Sequence, residues 1–286
     1  MPRTAKSASK WNKNDLLGFN IRVEPTTVVR FFGQELPPLP PNPPIDPHIL
    51  NSLVMPNNPT PEAQRFFSEL YGAARDERET TVDTLGREVL LNFGYDRLVG
   101  GGRGRVRLQP DSKLLICGEQ KDAVPDLRVE REDESIIMVQ EDKRKSAPGN
   151  GFPEAQLVAQ AIASAQINNT RSVNLGQGAL TSQDIFGIAM VGVALVFYKI
   201  RITKKLLDHV AAGTCPTAST VLHKLVPPVP HTNRRRYRRD GMVPVNNCHI
   251  VFRCYAAFKN LIPVSSLVCK ASPRIDGIYL GEVKDM

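Results

Sequence analysis

The stretch of sequence that decides the fold is VPDLRVEREDESIIMVQEDKR, residues 124–144. It contains an apolar strand that ends in Glu141-Asp142-Lys143, preceded by a shorter strand-like segment that carries Asp126. Successive side chains of a strand point to opposite faces, so Glu141 and Lys143 share one face. If the two segments pair as a hairpin across the acidic turn between them, Asp126 lies beside Glu141. Two carboxylates and an ammonium at one sheet edge predict a site for a hard divalent cation.

Helical patterns lie on both sides of this stretch. Residues 81–92 carry apolar side chains at helical spacing, with Glu88 at the border of the apolar face. Residues 154–167 are apolar almost all round, with Gln156 and Gln160 as the conspicuous polar pair. The strands predicted for a central sheet are 113–119, 124–130, 135–143, 188–193 and 195–202. This order of helix, strands, helix and returning strands predicts an α/β fold with a mixed central sheet flanked by helices.

The chain divides into three regions. Residues 1–60 form an N-terminal extension, in which the segment 36–47 carries seven prolines. Such a segment is extended and polyproline-like, and it serves either as a rigid connector or as a ligand for a protein partner. Residues 61–203 contain the predicted core. Residues 204–286 are expected to form a helical, basic region packed on that core.

Composition narrows the class of partner. The 286 residues include 41% hydrophobic side chains and carry a net charge of +8, which suits a globular protein that binds a polyanion, nucleic acid first. The N-terminus lacks the apolar segment of a secretory signal, and the longest apolar run is shorter than the roughly 20 residues that span a bilayer. Five cysteines without a Cys-x-x-Cys pair predict reduced thiols. We therefore expect an intracellular protein, nuclear or cytoplasmic, without a membrane partner.

Two arginine-rich segments are candidates for phosphate contacts. One follows a glycine run at 100–104, and the other surrounds Tyr237, whose ring could stack on a base. Mobile basic loops are the alternative for both segments. The predicted nucleic-acid contacts are Arg103, Arg105, Arg107, Arg234, Arg235, Arg236, Tyr237, Arg238 and Arg239.

The acidic motif resembles the signature of the PD-(D/E)XK, or restriction-endonuclease-like, nuclease superfamily. Pro125-Asp126 is followed, after fourteen residues, by Glu141-Asp142-Lys143, and a helix flanks the motif on each side. The resemblance covers less than half of the chain. It implies an αβββαβ core that binds Mg²⁺ or Mn²⁺ through Asp126, Glu141 and the backbone carbonyl of Asp142. Lys143 would then orient the attacking water.

The resemblance also implies accessory residues on the flanking helices. Glu88 would be the helix-borne acid that completes the metal site, with Glu119 as its rival for that role. Gln156 would be the glutamine that RecB-like branches keep after the lysine strand. Those branches often carry a tyrosine four residues later, where this chain has Gln160.

Phosphodiester hydrolysis is consistent with these residue types on physical grounds. A cation neutralises charge on the phosphate and activates water, and two neighbouring carboxylates repel each other without one. The motifs Gly-x-Ser-x-Gly and His-Glu-x-x-His are absent from the sequence. We therefore predict metal-dependent cleavage of DNA, with RNA as a second choice. The alternatives are a nuclease-like module that binds nucleic acid or protein without cutting, and a solvated strand end with local ion pairs.

Overall fold

A seven-stranded mixed sheet forms the centre of the molecule. The computed structural model describes residues 4–40, 43, 45–52, 54–75, 78–98, 101–147 and 152–262. Its strands are β1 (Ile21–Pro25), β2 (Gly104–Leu108), β3 (Lys113–Ile116), β4 (Glu119–Asp122), β5 (Leu127–Arg131), β6 (Ile136–Lys143), β7 (Ser182–Val191), β8 (Ala194–Thr203) and β9 (Thr220–Leu225). The large sheet has the order β1-β9-β8-β7-β6-β5-β2, and β3 and β4 form a separate two-stranded sheet.

Helices cover both faces of the large sheet, which confirms the predicted α/β class. They are α1 (Lys13–Gly18), α2 (Val28–Phe32), α3 (Pro47–Asn51), α4 (Pro61–Ala74), α5 (Glu79–Asn92), α6 (Glu154–Asn174), α7 (Lys204–Ala212), α8 (His231–Arg234), α9 (Tyr237–Asp240) and α10 (Val245–Lys259), with a short 3-10 helix at Ala8–Lys10. One apolar core includes residues of α4, α5 and α10. A second core includes residues of α6, α7 and the N-terminal segment.

The predicted hairpin is present and lies toward the β2 edge of the sheet. Strands β5 and β6 pair antiparallel, with Leu127 opposite Gln140 and Arg128 opposite Val139. Strand β7 then pairs parallel to β6, which requires a crossover connection, and α6 supplies it. The core sequence of elements is therefore α5, β2, β5, β6, α6 and β7, with the β3–β4 hairpin inserted after β2.

The predicted central strand at 113–119 is wrong. Cys117 and Gly118 both have positive φ, at 52° and 78°, and this tight turn folds β3 back onto β4. The place in the large sheet belongs to β2, in the arginine-rich segment for which a phosphate contact and a mobile loop are the two predicted alternatives. Its residues alternate between more and less exposed positions along β5, as an edge strand does.

The large sheet includes strands from outside the predicted core. Strands β1 and β9, at one edge of the sheet, come from outside residues 61–203. Helix α7 is bounded by local signals, with Thr203 capping its start and Gly213 in a left-handed conformation at its end. Residues 263–286, the end of the predicted basic region with Cys269, lie outside the described residues.

The proline-rich segment contacts the body of the protein where it is described. Arg253 of α10 donates hydrogen bonds to the carbonyl oxygens of Pro37 and Leu36. Pro41 and Pro44 lie outside the described residues. No helix in the described ranges is long and apolar enough to cross a bilayer.

Candidate metal centre

The candidate centre lies where β5 begins and β6 ends. Asp126 directly precedes β5, and the hairpin register continues from the Leu127–Gln140 pair toward it. The backbone N–H of Asp142 donates to Oδ2 of Asp126 at 2.7 Å. This bond holds the Asp126 carboxylate against the end of strand β6.

One face of β6 looks toward α5 and carries the carboxylate of Asp142. Oxygen atoms of Asp83, Asp126 and Asp142 lie within 4.8 Å of one another. Gln140 donates from Nε2 to both oxygens of Asp142, at 2.9 and 3.2 Å. Helix α5 reaches this close because Gly86 has no Cβ, which would collide with the side chain of Gln140. We call Asp83, Asp126 and Asp142 the carboxylate triad.

The triad carries more negative charge than its surroundings compensate. Burial, together with the neighbouring Asp126 and Glu79, raises the pKa of Asp83 to about 7. Burial together with Asp126 and Asp83 holds the pKa of Asp142 well above its usual range. Burial also raises the pKa of Asp126, although the Asp142 N–H opposes that effect. Without a cation, the triad therefore retains protons near neutral pH.

The opposite face of β6 lies toward α6 and carries a cation, the Lys143 ammonium. Lys143 Nζ lies 2.5 Å from Oε1 of Glu141, which is fully buried, and 2.9 Å from Oε1 of Glu79 on α5. Gln160 of α6 donates from Nε2 to Oε2 of Glu141 at 2.5 Å and to the carbonyl oxygen of Val124 at 3.0 Å. We call Glu141, Lys143 and Gln160 the lysine face.

The charges of the lysine face compensate each other in part. Burial and the nearby Asp126 raise the pKa of Glu141 to about 8, against the opposing effect of Lys143. Burial disfavours the Lys143 ammonium, but Glu141, Glu79 and Asp126 outweigh that effect and raise the pKa of Lys143. The ammonium is therefore firmly charged and acts as an electrostatic group, not as a proton carrier near neutral pH.

Three predicted site residues come together, and the predicted accessory residues do not join them. Asp126, Glu141 and Lys143 are neighbours, as the hairpin argument expects. Glu88 instead lies 3.8 Å from Arg65 and 3.7 Å from Arg87. Glu119 lies on the separate β3–β4 sheet, beside Lys121. The contact expected of Gln156 is made by Gln160, one helical turn later.

Two acids near the site were missed by sequence reasoning. Glu79 and Asp83 lie one turn apart on α5, and both face the end of β6. The spacing of Asp83 three residues before Gly86 is a usable signal, because a glycine in a helix interior marks close packing. The side chain of Asp142, which was expected to contribute only its carbonyl, also belongs to the triad.

The predicted basic contacts are dispersed. Arg103, Arg105 and Arg107 lie on or beside the edge strand β2, where Arg107 pairs with Glu130 at 3.2 Å. Tyr237 is 4% exposed and donates its hydroxyl to the carbonyl of Leu195 at 2.9 Å, so its ring is not offered to a base. Of the second arginine segment, Arg238 lines a cavity together with Lys143.

The carboxylate triad has the features of a cation site. Its ligands are hard oxygen atoms, which Mg²⁺ and Mn²⁺ prefer. Oδ1 of Asp83 is buried and has no hydrogen-bond partner among the described residues, as expected of an atom whose partner is an ion. The residues present therefore fit a divalent metal. No protein-family model and no curated protein gives a significant match to this chain.

Proposed function

We propose that this chain is a metal-dependent hydrolase of phosphodiester bonds in nucleic acid, DNA before RNA, with a restriction-endonuclease-like core. The observation that carries the proposal is the convergence of the carboxylate triad from three elements, with Lys143 on the other face of the same strand. The order α5, β2, β5, β6, α6, β7 supports it, because it follows the αβββαβ order expected for that core. The net charge of +8 supports a polyanionic substrate.

The metal ligands in this proposal differ from those implied by the sequence resemblance. Asp83, Asp126 and Asp142 would hold Mg²⁺ or Mn²⁺, and Glu141 would be held by Lys143 and Gln160. The metal would supply charge neutralisation at the phosphate and activation of water. Glu88 and Glu119 have no part in this site.

The chain's own residues would position and stabilise the substrate. Lys143 is charged and partly exposed, so its ammonium can stabilise negative charge that develops on a phosphate oxygen. Glu141 and Glu79 hold that ammonium between them, and Gln160 fixes Glu141 in turn. Asp126, which contacts β6 through the Asp142 N–H, links the ammonium to the triad.

One observation favours a second candidate function. Lys143 already has two carboxylate partners, and Glu141 has no exposed surface, which also suits a structural ion-pair network. A protein of this kind would bind nucleic acid without cutting it. Such binding would weaken with salt because of counterion release, and it would not depend on the triad.

A cleavage assay with a matched pair of variants tests the proposal. The purified chain is incubated with plasmid and linear DNA in Mg²⁺, in Mn²⁺ and in EDTA, beside Asp83→Asn and Glu88→Gln. Both substitutions remove one carboxylate from the same helix, but only Asp83 belongs to the triad. We expect metal-dependent cleavage that Asp83→Asn reduces strongly and Glu88→Gln leaves intact. DNA binding without metal-dependent cleavage would support the second candidate instead.

A further inference from the structure

A cavity of about 610 Å³ opens beside Lys143, on the α6 side of the sheet. Its wall combines the N-terminal segment, the first turn of α6 and one residue of the arginine segment. The lining residues that carry chemistry are Trp11, Lys13, Lys143, Phe152 and Arg238. The volume lies within the range of about 300–1,000 Å³ that small-molecule sites occupy. The cavity therefore shares Lys143 with the proposed reaction site and is large enough for a small ligand.

The charges around the cavity favour an anion. Lys13, Lys143 and Arg238 bring three cations to its wall, of which Lys143 is also paired with Glu141 and Glu79. Lys13 is exposed and has no ion-pair partner in the part of the chain that is described. The one acid in the wall, Glu154, contacts Lys224 and the hydroxyl of Tyr198. Phosphate is the anion that this basic chain is most expected to meet.

The first turn of α6 adds to this preference. The helix is 21 residues long, begins at Glu154 and has no side-chain cap at Pro153. Its first-turn N–H groups lack intrahelical acceptors, and the helix dipole places partial positive charge at this end. Because Pro153, Ala155 and Gln156 line the cavity, this end of the helix faces it.

The aromatic part of the wall suits a base. Phe152 is half-buried and offers part of its ring to the cavity, whereas Trp11 is 6% exposed and already stacks on Phe19 with a centroid distance of 5.5 Å, so Trp11 offers its indole N–H and not a ring face. The buried Nε1 of Trp11 has no hydrogen-bond acceptor among the described residues. An unmet buried donor is uncommon, and an acceptor on a ligand would satisfy it. A phosphate beside an aromatic ring is the chemistry of a nucleotide.

A larger cavity, of about 780 Å³, lacks this combination. It lies between the β3–β4 hairpin, the second half of α6 and α7. Its two cations, Lys113 and Arg171, are paired with Asp122 and Glu134. No aromatic side chain among the described residues lines it, and Lys143 does not belong to its wall.

We propose that the cavity beside Lys143 binds one unstacked nucleotide of the substrate strand, next to the phosphate that is cleaved. This proposal rests on the proposed nuclease function and names its substrate class, which is single-stranded nucleic acid or a frayed strand end. A paired base would have to leave the duplex to enter, which costs unpairing and unstacking energy. Single strands avoid that cost, so the chain selects them over duplex interiors.

Trp11 provides a direct probe, because it is the chain's only tryptophan. Its fluorescence is followed in EDTA, to prevent cleavage, while the full chain is titrated with hexathymidylate or with a blunt hairpin duplex. We expect hexathymidylate to change the Trp11 signal to saturation and the hairpin to have little effect. Lys13→Glu and Arg238→Glu should each weaken hexathymidylate binding about tenfold, since each removes a charge-assisted contact. Lys205→Glu, which makes the same charge change on the exposed side of α7, is the matched control.

The outcomes separate the cavity from the nuclease proposal. Metal-dependent cleavage of closed duplex DNA without any Trp11 response would overturn the cavity assignment and leave the nuclease standing. An equal Trp11 response to the hairpin, or equal weakening by Lys205→Glu, would also overturn it. A selective response without any cleavage would support the cavity as a single-strand site while the hydrolytic proposal fails. Thermal unfolding of each variant verifies that the substitutions leave the fold intact.

Discussion

The two faces of strand β6 differ in the groups that surround their buried carboxylates. On the lysine face, Glu141 has an ammonium at 2.5 Å and an amide donor from α6. On the triad face, three carboxylates lie within 4.8 Å of one another, and the nearest donor described for Asp142 is the neutral amide of Gln140. Alternation along one strand thus separates a compensated carboxylate from an uncompensated set.

This difference indicates which face needs an ion from solution. A buried carboxylate beside a lysine is compensated in part within the chain, whereas like charges with no cation in direct contact must hold protons or bind metal. Asp126 lies between the two arrangements and influences both. The acidic motif is therefore better described as two coupled sites than as one row of ligands on a single face.

The largest effect is expected at Asp126, because it belongs to both arrangements. Asp126→Asn keeps an acceptor for the Asp142 N–H but removes the charge. We expect the rate of metal-dependent DNA cleavage to fall by at least about 100-fold, as for loss of a group that stabilises developing charge. Initial rates and calorimetric Mn²⁺ titration measure the effect. Glu119→Gln, on the separate β3–β4 hairpin, is the control. If Asp126→Asn cleaves DNA at the wild-type rate, Asp126 does not connect the two faces.

The next effect concerns the pH dependence of stability without metal. The pKa values of Asp83 and Glu141, about 7 and about 8, exceed their values of about 4 in an unfolded chain. The folded state then binds more protons than the unfolded state, so this contribution is fully present below about pH 4 and is lost as pH rises toward 8. We expect the two groups together to lower the free energy of unfolding by about 6 kcal/mol between about pH 5 and pH 8.

Urea denaturation in EDTA at both pH values measures this loss. Mn²⁺ at the higher pH should restore stability, because the ion binds the deprotonated triad. The Asp83→Asn variant should show a flatter profile and a weaker response to Mn²⁺. A metal-free stability that rises over this range in both proteins would contradict the proposed charge imbalance.

A smaller effect is expected when the cation of the lysine face is removed. Lys143→Met leaves Glu141 buried without its counterion, and we expect a loss of about 2 kcal/mol at about pH 8, reduced from the full buried-pair value because the Lys143 side chain is 28% exposed. The loss should shrink near pH 5, where Glu141 is neutral. Asp83→Asn should instead stabilise the metal-free protein. If both variants destabilise equally, the two faces do not differ in the way described.

The parts of the structure that could be predicted from sequence are those fixed by local signals. The β5–β6 hairpin follows from two apolar segments around an acidic turn, and α7 follows from Thr203 and Gly213 at its ends. Side-chain alternation alone places Glu141 and Lys143 together. These features depend on residues close in sequence, whose geometry is set by backbone rules.

The remaining features depend on how distant elements meet. Asp83 belongs to the triad because Gly86 lets α5 approach β6, and the three-residue spacing to Gly86 is the local signal that favours Asp83 over Glu88 as the acid that faces the sheet. The strand at 113–119 was misplaced because its turn, Cys117-Gly118, favours the partner that follows it. Tyr237 was expected at the surface, but its burial depends on β8. Sequence patterns predict faces of elements more readily than the rotation of one element against another.

The smallest expected effect tests which turn of helix α6 contacts Glu141. Gln160 donates to Glu141 and to the carbonyl of Val124, whereas Gln156 lines the cavity wall one turn earlier. Gln160→Leu should therefore cost about 1 kcal/mol of unfolding free energy, as for a lost buried hydrogen bond, and Gln156→Leu less than about 0.5 kcal/mol. Denaturant unfolding of the two variants gives the comparison. If Gln156→Leu proves the more damaging, helix α6 is shifted along its axis by about one turn relative to the sheet. Gln156, the glutamine implied by the family resemblance, then supports Glu141.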